Sequence, residues 1–238
     1  MFVWLALCGF GAGAITSVAG MGGGILLLLG LSLVWSPAEA LATTAPAMFL
    51  SGLHRWWLLR DDVDRSIAKG FAWGAIPGSF FGGLLVTQMP DALLRWLMVL
   101  MTFFAVGRAL KFYDWQPRAW AMVPAGAGIG AISAAVGGAG LLVGPLFISA
   151  GLTGKRFVAT IAVAAASLHL GRIVAYGAGG LVTSATLGRG LVLTVSLMAG
   201  NWIGLRYRDR ILRNARAERV ELGAMLVCMV LSLAGIGQ

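Results

Sequence analysis

The chain has 238 residues, of which 59% are hydrophobic and only 11% are charged. This composition is typical of integral membrane proteins and excludes an ordinary soluble domain. A formal net charge of +9 would be compatible with nucleic-acid binding, but the basic residues lie between apolar segments, where they are typical of positively charged membrane loops. We therefore expect contact with the lipid bilayer and no nucleic-acid partner.

Ten apolar segments follow one another along the chain. They cover residues 2–19, 24–35, 40–59, 70–88, 92–112, 119–135, 141–152, 157–178, 184–205 and 219–236. We expect them to form a single membrane domain over residues 1–238. The first segment lacks the basic region and the cleavage site of a signal peptide, so it is expected to belong to this domain. Cys8 and Cys228 lie inside apolar segments without metal-ligand spacing and indicate neither a metal site nor a cofactor.

Two glycine clusters interrupt this apolar pattern, the first at residues 20–24 and the second at residues 137–140. Glycine is a poor helix former, so each cluster predicts a helix break. In a membrane, backbone without helical hydrogen bonds is tolerated only where protein or a water-filled cavity covers it. Each break is therefore a candidate substrate site. The candidate residues are Gly20, Met21, Gly22, Gly23, Gly24, Gly137, Gly138, Ala139 and Gly140.

An internal match relates the two halves of the chain. Shifting residues 11–59 by 117 positions aligns several glycines with glycines and also pairs Arg55 with Arg172. After the next loop the shift becomes 122, which pairs glycines 78 and 82 with glycines 200 and 204. Small residues at this spacing are typical of close helix packing in membranes. The match predicts a duplication, with repeat one over residues 1–112 and repeat two over residues 118–238.

Charge and length predict how each half threads the bilayer. As one helix, the roughly 34 residues from 2 to 35 would extend about 50 Å, which exceeds a hydrocarbon core of about 30 Å. If each break is instead the tip of a re-entrant hairpin, the most basic loops all face one side, the cytoplasm. The predicted fold is therefore an all-α integral membrane protein with two inverted-topology repeats. Each repeat contains a re-entrant broken-helix hairpin and three transmembrane helices, and both termini are expected to be periplasmic.

The half-helices that begin after the breaks offer a site for an anion. Their first backbone N–H groups lack helical partners and carry the positive end of the helix dipole. Two such ends near the midplane predict the alternating-access site of a secondary transporter for a small anion. Thr43, Thr44 and Thr160 on the following helices are candidate hydroxyl donors, although threonine in a membrane helix often bonds its own backbone.

Three ionisable residues inside apolar segments are further candidates. Arg55 and Arg172 either extend to the membrane interface or attract an anion. His169 is either a hydrogen-bonded core residue or a carrier of coupled protons. The acidic residues lie in or near loops, which disfavours a cation carrier. An intramembrane hydrolase built on Ser167 and His169 is also disfavoured, because residues two apart on a helix point away from each other. A carrier of another small anion or of a neutral solute stays open, and a structural membrane subunit is a weaker alternative.

These features resemble the sulfite exporter TauE/SafE family. The matching pattern is a glycine-rich break, a proline a few residues later, and a helix containing A-x-x-T/S-S. In this chain residues 20–24 and 40–44 carry the first copy, and residues 137–140 with Pro145 and Ala159-Thr160 carry the second. Leu28 stands where Pro145 predicts a proline in the first half, and Ala139 interrupts the second glycine run.

The resemblance implies transport of small sulfur-containing anions such as sulfite or organosulfonates, often by export, with a proton as a candidate coupling ion. It also implies a non-enzymatic protein of the bacterial inner membrane. The expected partners are the anion, protons and lipid, while a homodimer stays open as an oligomeric state.

Overall fold

The computed structural model describes residues 2–20, 22–32, 34–109, 122–137 and 139–213. Within these ranges all regular structure is helical, which confirms the all-α prediction. The last predicted apolar segment, 219–236, lies outside the described residues. The helices are α1 (Phe2–Ala19), α2 (Gly23–Ser32), α3 (Pro37–Leu58), α4 (Arg65–Val86), α5 (Asp91–Ala109), α6 (Met122–Val136), α7 (Ala139–Ser149), α8 (Gly154–Ala178) and α9 (Ser184–Arg213), with a 3₁₀ turn at Arg60–Asp62.

Two of the described helices, α1 and α8, are long and apolar enough to cross a membrane by length and composition. The helices α2 and α6 are apolar but shorter than a full span. With 10 and 11 residues, α2 and α7 have the length of half-helices. The longest of the predicted apolar runs are thus divided into shorter helical pieces at the glycine clusters.

Both predicted helix breaks are present. Between α1 and α2, Gly20 and Gly22 have φ angles of 85° and 94°, and between α6 and α7, Gly137 has a φ angle of 67°. These angles lie in the left-handed region, which glycine enters without steric cost and other residues rarely adopt. The glycines therefore end one helix and allow the chain to start the next in a new direction.

Close backbone contacts hold α4 against α6 and α1 against α9. A Cβ atom added at Gly78 or Gly82 would overlap carbonyl oxygens of α6, and one added at Gly200 would overlap a carbonyl oxygen of α1. At Gly204 a Cβ would lie 2.7 Å from another α1 carbonyl oxygen. The packing role predicted for these four glycines is confirmed, because any side chain there would force the helix backbones apart.

The helices α3 and α8 lie against each other at the centre of the structure. A Cβ at Gly52 of α3 would lie 3.2 Å from the carbonyl oxygen of Ala162 in α8, so the two backbones approach closely. The side-chain hydroxyl of Ser36 caps α3 by accepting from the Glu39 N–H. The first two-thirds of α8 is rich in alanine, and this small side chain permits the close approach.

A buried amide connects three helices. Asn201 of α9 donates from Nδ2 to the Ser51 hydroxyl of α3 at 2.9 Å and accepts from the Ser17 hydroxyl of α1 at 2.8 Å. Asn201 is fully buried. Since buried polar groups are costly unless they are hydrogen-bonded, this set of bonds fixes the register of α9 on both helices.

Two ion pairs join the first turns of α3 and α8 to neighbouring helices. Asp64, which precedes α4, pairs with Arg156 of α8 at 2.6 Å, and Glu39 of α3 pairs with Arg189 of α9. Because α4 begins shortly after α3 ends, the first pair places the start of α8 near the end of α3. The two central helices therefore run antiparallel.

Replacement of Asp64 by alanine is expected to lower the free energy of unfolding by about 1–2 kcal/mol. The Asp64 carboxylate accepts from the N–H groups of Ser66 and Ile67 at 3.1 Å and so caps α4, in addition to pairing with Arg156. Arg156→Ala should cost less, because it removes only a pair whose arginine side chain is 63% exposed. Thermal unfolding of the detergent-purified variants measures both effects, and equal losses would contradict the capping role.

The stability that Asp64 contributes is expected to depend on pH. The hydrogen bond from the Ile67 N–H, followed by the Arg156 guanidinium, holds the pKa of the Asp64 carboxyl below its usual range. A lowered folded-state pKa means that the stabilisation is present above the unfolded-state pKa of about 3.9 and is lost as the pH falls through the folded-state value. The difference in the free energy of unfolding between wild type and Asp64→Ala should therefore become smaller below about pH 4.

Candidate functional site

A buried cavity brings the two helix breaks together. Its wall includes Gly20, Gly22 and Gly24 from the first break and Gly137 and Gly140 from the second. The helix α3 contributes Leu41, Thr44, Met48 and Arg55, and α8 contributes Ile161, Ala165, His169 and Arg172. The breaks therefore face the same space, and the start of α2 and the start of α7 both lie at its edge.

The size of this cavity suits a small anion. The space in which the centre of a water molecule can move is about 50 Å³. A cavity needs about 10–15 Å³ to hold one water, so this space is large enough for a small group of a few non-hydrogen atoms.

Arg55 and Arg172 place two positive charges in the cavity wall. Their side chains are 2% and 3% exposed, so the alternative in which both extend to the membrane interface is wrong. Arg55 donates from Nη1 to the Thr16 carbonyl oxygen at 3.3 Å. In the described part of the chain, Arg55 Nε and Arg172 Nε and Nη2 have no hydrogen-bond partner. Buried guanidinium groups with unused donors are costly alone and suit an anion.

His169 lies on the same face of α8 as Arg172, because the two residues are three positions apart in the helix. The side chain is 7% exposed, and among the described residues its Nδ1 atom has no hydrogen-bond partner. The cavity wall thus contains two guanidinium groups and one imidazole. No carboxylate stands among the described residues that line it, so the balance of charge in the wall is positive.

The three predicted threonines differ in position. Thr44 lines the cavity, but its hydroxyl donates to a carbonyl oxygen one turn earlier in its own helix at 2.8 Å. Thr43 is buried outside the lining. The Thr160 hydroxyl is also outside it, where it donates to a carbonyl oxygen of α8 at 2.7 Å and accepts from the Asp64 N–H at 3.0 Å. Thr43 and Thr160 are therefore not among the described residues that line this cavity, and their role beside the substrate stays a prediction.

Four candidates from the two glycine clusters remain, namely Gly23, Met21, Gly138 and Ala139. Gly23 is not in the lining, and a Cβ atom there would overlap the Ala12 carbonyl oxygen, so this residue serves the packing of α2 on α1. Met21 and Gly138 lie outside the described residues. The backbone of Ala139 begins α7.

Sequence reasoning missed several residues of the cavity wall. These are Thr16, Ile25, Leu28, Leu41, Met48, Ile161 and Ala165. Helical spacing carries a signal for some of them, because Leu28 follows Gly24 by four residues, Met48 follows Thr44 by four, and Ile161 and Ala165 precede His169 at intervals of four. An apolar residue in an apolar helix gives no other indication of facing a cavity.

A family model described as Sulfite exporter TauE/SafE matches residues 5–234, which include both breaks and every described helix of the cavity. No match was found among the curated proteins, and none among the solved structures. Members of the family are membrane transporters and not enzymes, which confirms the expectation of a non-enzymatic membrane protein. The match spans nearly the whole chain, and this protein belongs to the sulfite exporter TauE/SafE family.

Proposed function

We propose that this protein is a secondary transporter that exports small sulfur-containing anions such as sulfite, and that the anion binds in the cavity between the two breaks. The observation that carries the proposal is the pair of buried arginines, Arg55 on α3 and Arg172 on α8, in the wall of one small cavity. Family membership supports the class of substrate.

A bound anion would accept hydrogen bonds from guanidinium N–H groups of Arg55 and Arg172 that have no partner among the described residues. A sulfite oxygen can accept from Arg172 Nε and a second from Nη2, which is the geometry that guanidinium groups offer to oxyanions. Arg55 offers Nε from the other side. The positive ends of α2 and α7 add partial charge of the same sign. The same features disfavour a cation as the substrate, because two buried guanidinium groups would repel it.

The proposed transport mechanism is alternating access between two inverted-topology repeats, residues 1–112 and 118–238. It is supported by paired contacts: α4 packs on α6 through glycines 78 and 82, and α9 packs on α1 through glycines 200 and 204. The antiparallel central helices α3 and α8 agree with it. In such an arrangement the cavity lies between the halves, and rocking of one half against the other opens it to either side.

A proton is the proposed coupling ion, and His169 is the proposed carrier. Imidazole is the side chain whose unperturbed pKa lies near neutral pH, and His169 lines the cavity beside Arg172. An anion held by the arginines would offset their charge and favour a proton on the imidazole, so anion and proton would cross together. The proposed location is the bacterial inner membrane, with the basic end of α9 on the cytoplasmic side and both termini periplasmic.

Flux from liposomes tests the proposal directly. Purified protein is reconstituted, the liposomes are loaded with sulfite, and release is followed with and without a pH gradient, beside liposomes that lack protein. The expected result is saturable release of sulfite. Because anion and proton are proposed to cross together, release should be faster when the interior of the liposomes is more acidic than the medium. If neither sulfite nor any small sulfonate is released faster than from protein-free liposomes under either condition, the proposed substrate class is wrong.

A further inference from the structure

Leu28 of α2 lines the cavity and contacts the second helix break. Its side chain is 2% exposed and forms part of the cavity wall. A Cβ atom added at Gly137 would overlap Leu28 Cδ2, so this methyl group rests directly against the backbone of the second break. The side chain of one half-helix therefore occupies space at the tip of the opposite hairpin.

The neighbours of Leu28 have the same size and burial but a different surrounding. Leu27 and Leu29 are 2% and 1% exposed, and neither belongs to the cavity wall. Pro145, which the shift of 117 residues pairs with Leu28, is also absent from the described wall. Where the second break meets α2, the cavity wall is therefore formed by the side chain of Leu28 from the first half.

We propose that Leu28 sets the upper size limit of the transported anion. This inference rests on the proposed function of the cavity as the anion site. We expect that a cavity with room for a few non-hydrogen atoms accepts sulfite or methanesulfonate and excludes longer alkanesulfonates. Leu28→Ala removes the three carbon atoms beyond Cβ, and Gly137, which has no side chain, cannot fill that space. The limit should therefore move by up to about three heavy atoms, which is enough for propanesulfonate, two carbon atoms longer than methanesulfonate.

Competition against sulfite flux tests this inference. Methanesulfonate, ethanesulfonate and propanesulfonate are added to proteoliposomes that transport sulfite, and the inhibition constant of each is measured. In wild type, inhibition should fall sharply with chain length. In Leu28→Ala, the inhibition constant of propanesulfonate, taken relative to the affinity for sulfite, should be at least about tenfold lower than in wild type. This corresponds to about 1.4 kcal/mol. Leu27→Ala and Leu29→Ala are the matched controls and should keep the wild-type order.

The possible results separate this inference from the proposal on which it rests. Sulfite flux in wild type together with an unchanged order of sulfonates in Leu28→Ala overturns the role of Leu28 and leaves the proposed function intact. An absence of sulfite flux in wild type overturns the proposed function and this inference with it.

Leu28→Val, which removes one carbon atom, replaces the alanine variant if that variant does not fold. It should shift the size limit in the same direction by a smaller amount. Equal shifts in the Leu27 and Leu29 variants would also contradict the inference, because a general loosening of α2 would then explain the result.

Discussion

Replacement of Arg172 by glutamine is expected to reduce sulfite flux by about 100-fold or more, because two charge-assisted hydrogen bonds to the anion are lost at about 1.5 kcal/mol or more each. Arg172→Lys keeps the charge but loses the planar fork of donors, so it should retain an intermediate activity. The measurement is initial sulfite release from proteoliposomes with matched protein content. Arg206→Gln is the control: this exposed arginine of α9 lies over the Trp202 ring at 5.3 Å, away from the cavity.

Thermal unfolding distinguishes an anion-binding role of Arg172 from a structural one. A buried guanidinium with unused donors is costly, so in the absence of anion Arg172→Gln should unfold at the same temperature as wild type or at a higher one. Added sulfite should stabilise wild type and Arg206→Gln but leave Arg172→Gln unchanged. Stabilisation of Arg172→Gln by sulfite to the wild-type extent would contradict the assignment of this arginine to the site.

Alanine at Gly74 is expected to be among the most destabilising single substitutions in the described part of the chain. A Cβ atom there would overlap the Val123 carbonyl oxygen and lie 2.8 Å from the Ala127 nitrogen, both of which are backbone atoms of α6 and cannot rotate away. Overpacking of this kind costs about 1–3 kcal/mol or more. The measurement is the unfolding temperature in detergent.

The matched control for this substitution is Gly11→Ala in α1. Among the described residues, a Cβ at Gly11 would meet nothing within 4 Å. Alanine has a higher helix propensity than glycine, so this variant should be neutral or more stable by up to about 1 kcal/mol. If both variants unfold at the same temperature, the close packing of α4 on α6 is not as described.

Glycine and arginine made the main features of the site predictable from the sequence. Four glycines in residues 20–24 destabilise a helix whatever surrounds them, and the break lies at Gly20 and Gly22. A charged side chain inside an apolar segment, such as that of Arg55 or Arg172, is energetically costly in a membrane. Its position alone therefore makes the residue a candidate for a functional role. These arguments rest on the residue itself and need no knowledge of packing.

The faces of the helices could not be predicted in the same way. Thr43 and Thr44 are adjacent and therefore point about 100° apart on α3, and which of them faces the cavity depends on the contacts of α3 with its neighbours. Only Thr44 lines it. Leu28 is one of four consecutive leucines, and nothing in their order distinguishes it from Leu27 or Leu29. For such residues, only the packing of the helices in three dimensions shows which side chain faces the cavity.

The amide of Asn201 has a consequence for the order of assembly during synthesis. Its partner Ser17 lies 184 residues earlier in the chain, and the backbone contacts of α1 with glycines 200 and 204 come from the same late helix. The ribosome therefore releases α1 into the bilayer long before α9 exists. Until then the contacts of α1 with α9 cannot form. The packing of α1 is completed only once α9 has been made, so the first helix is among the last to gain all of its contacts.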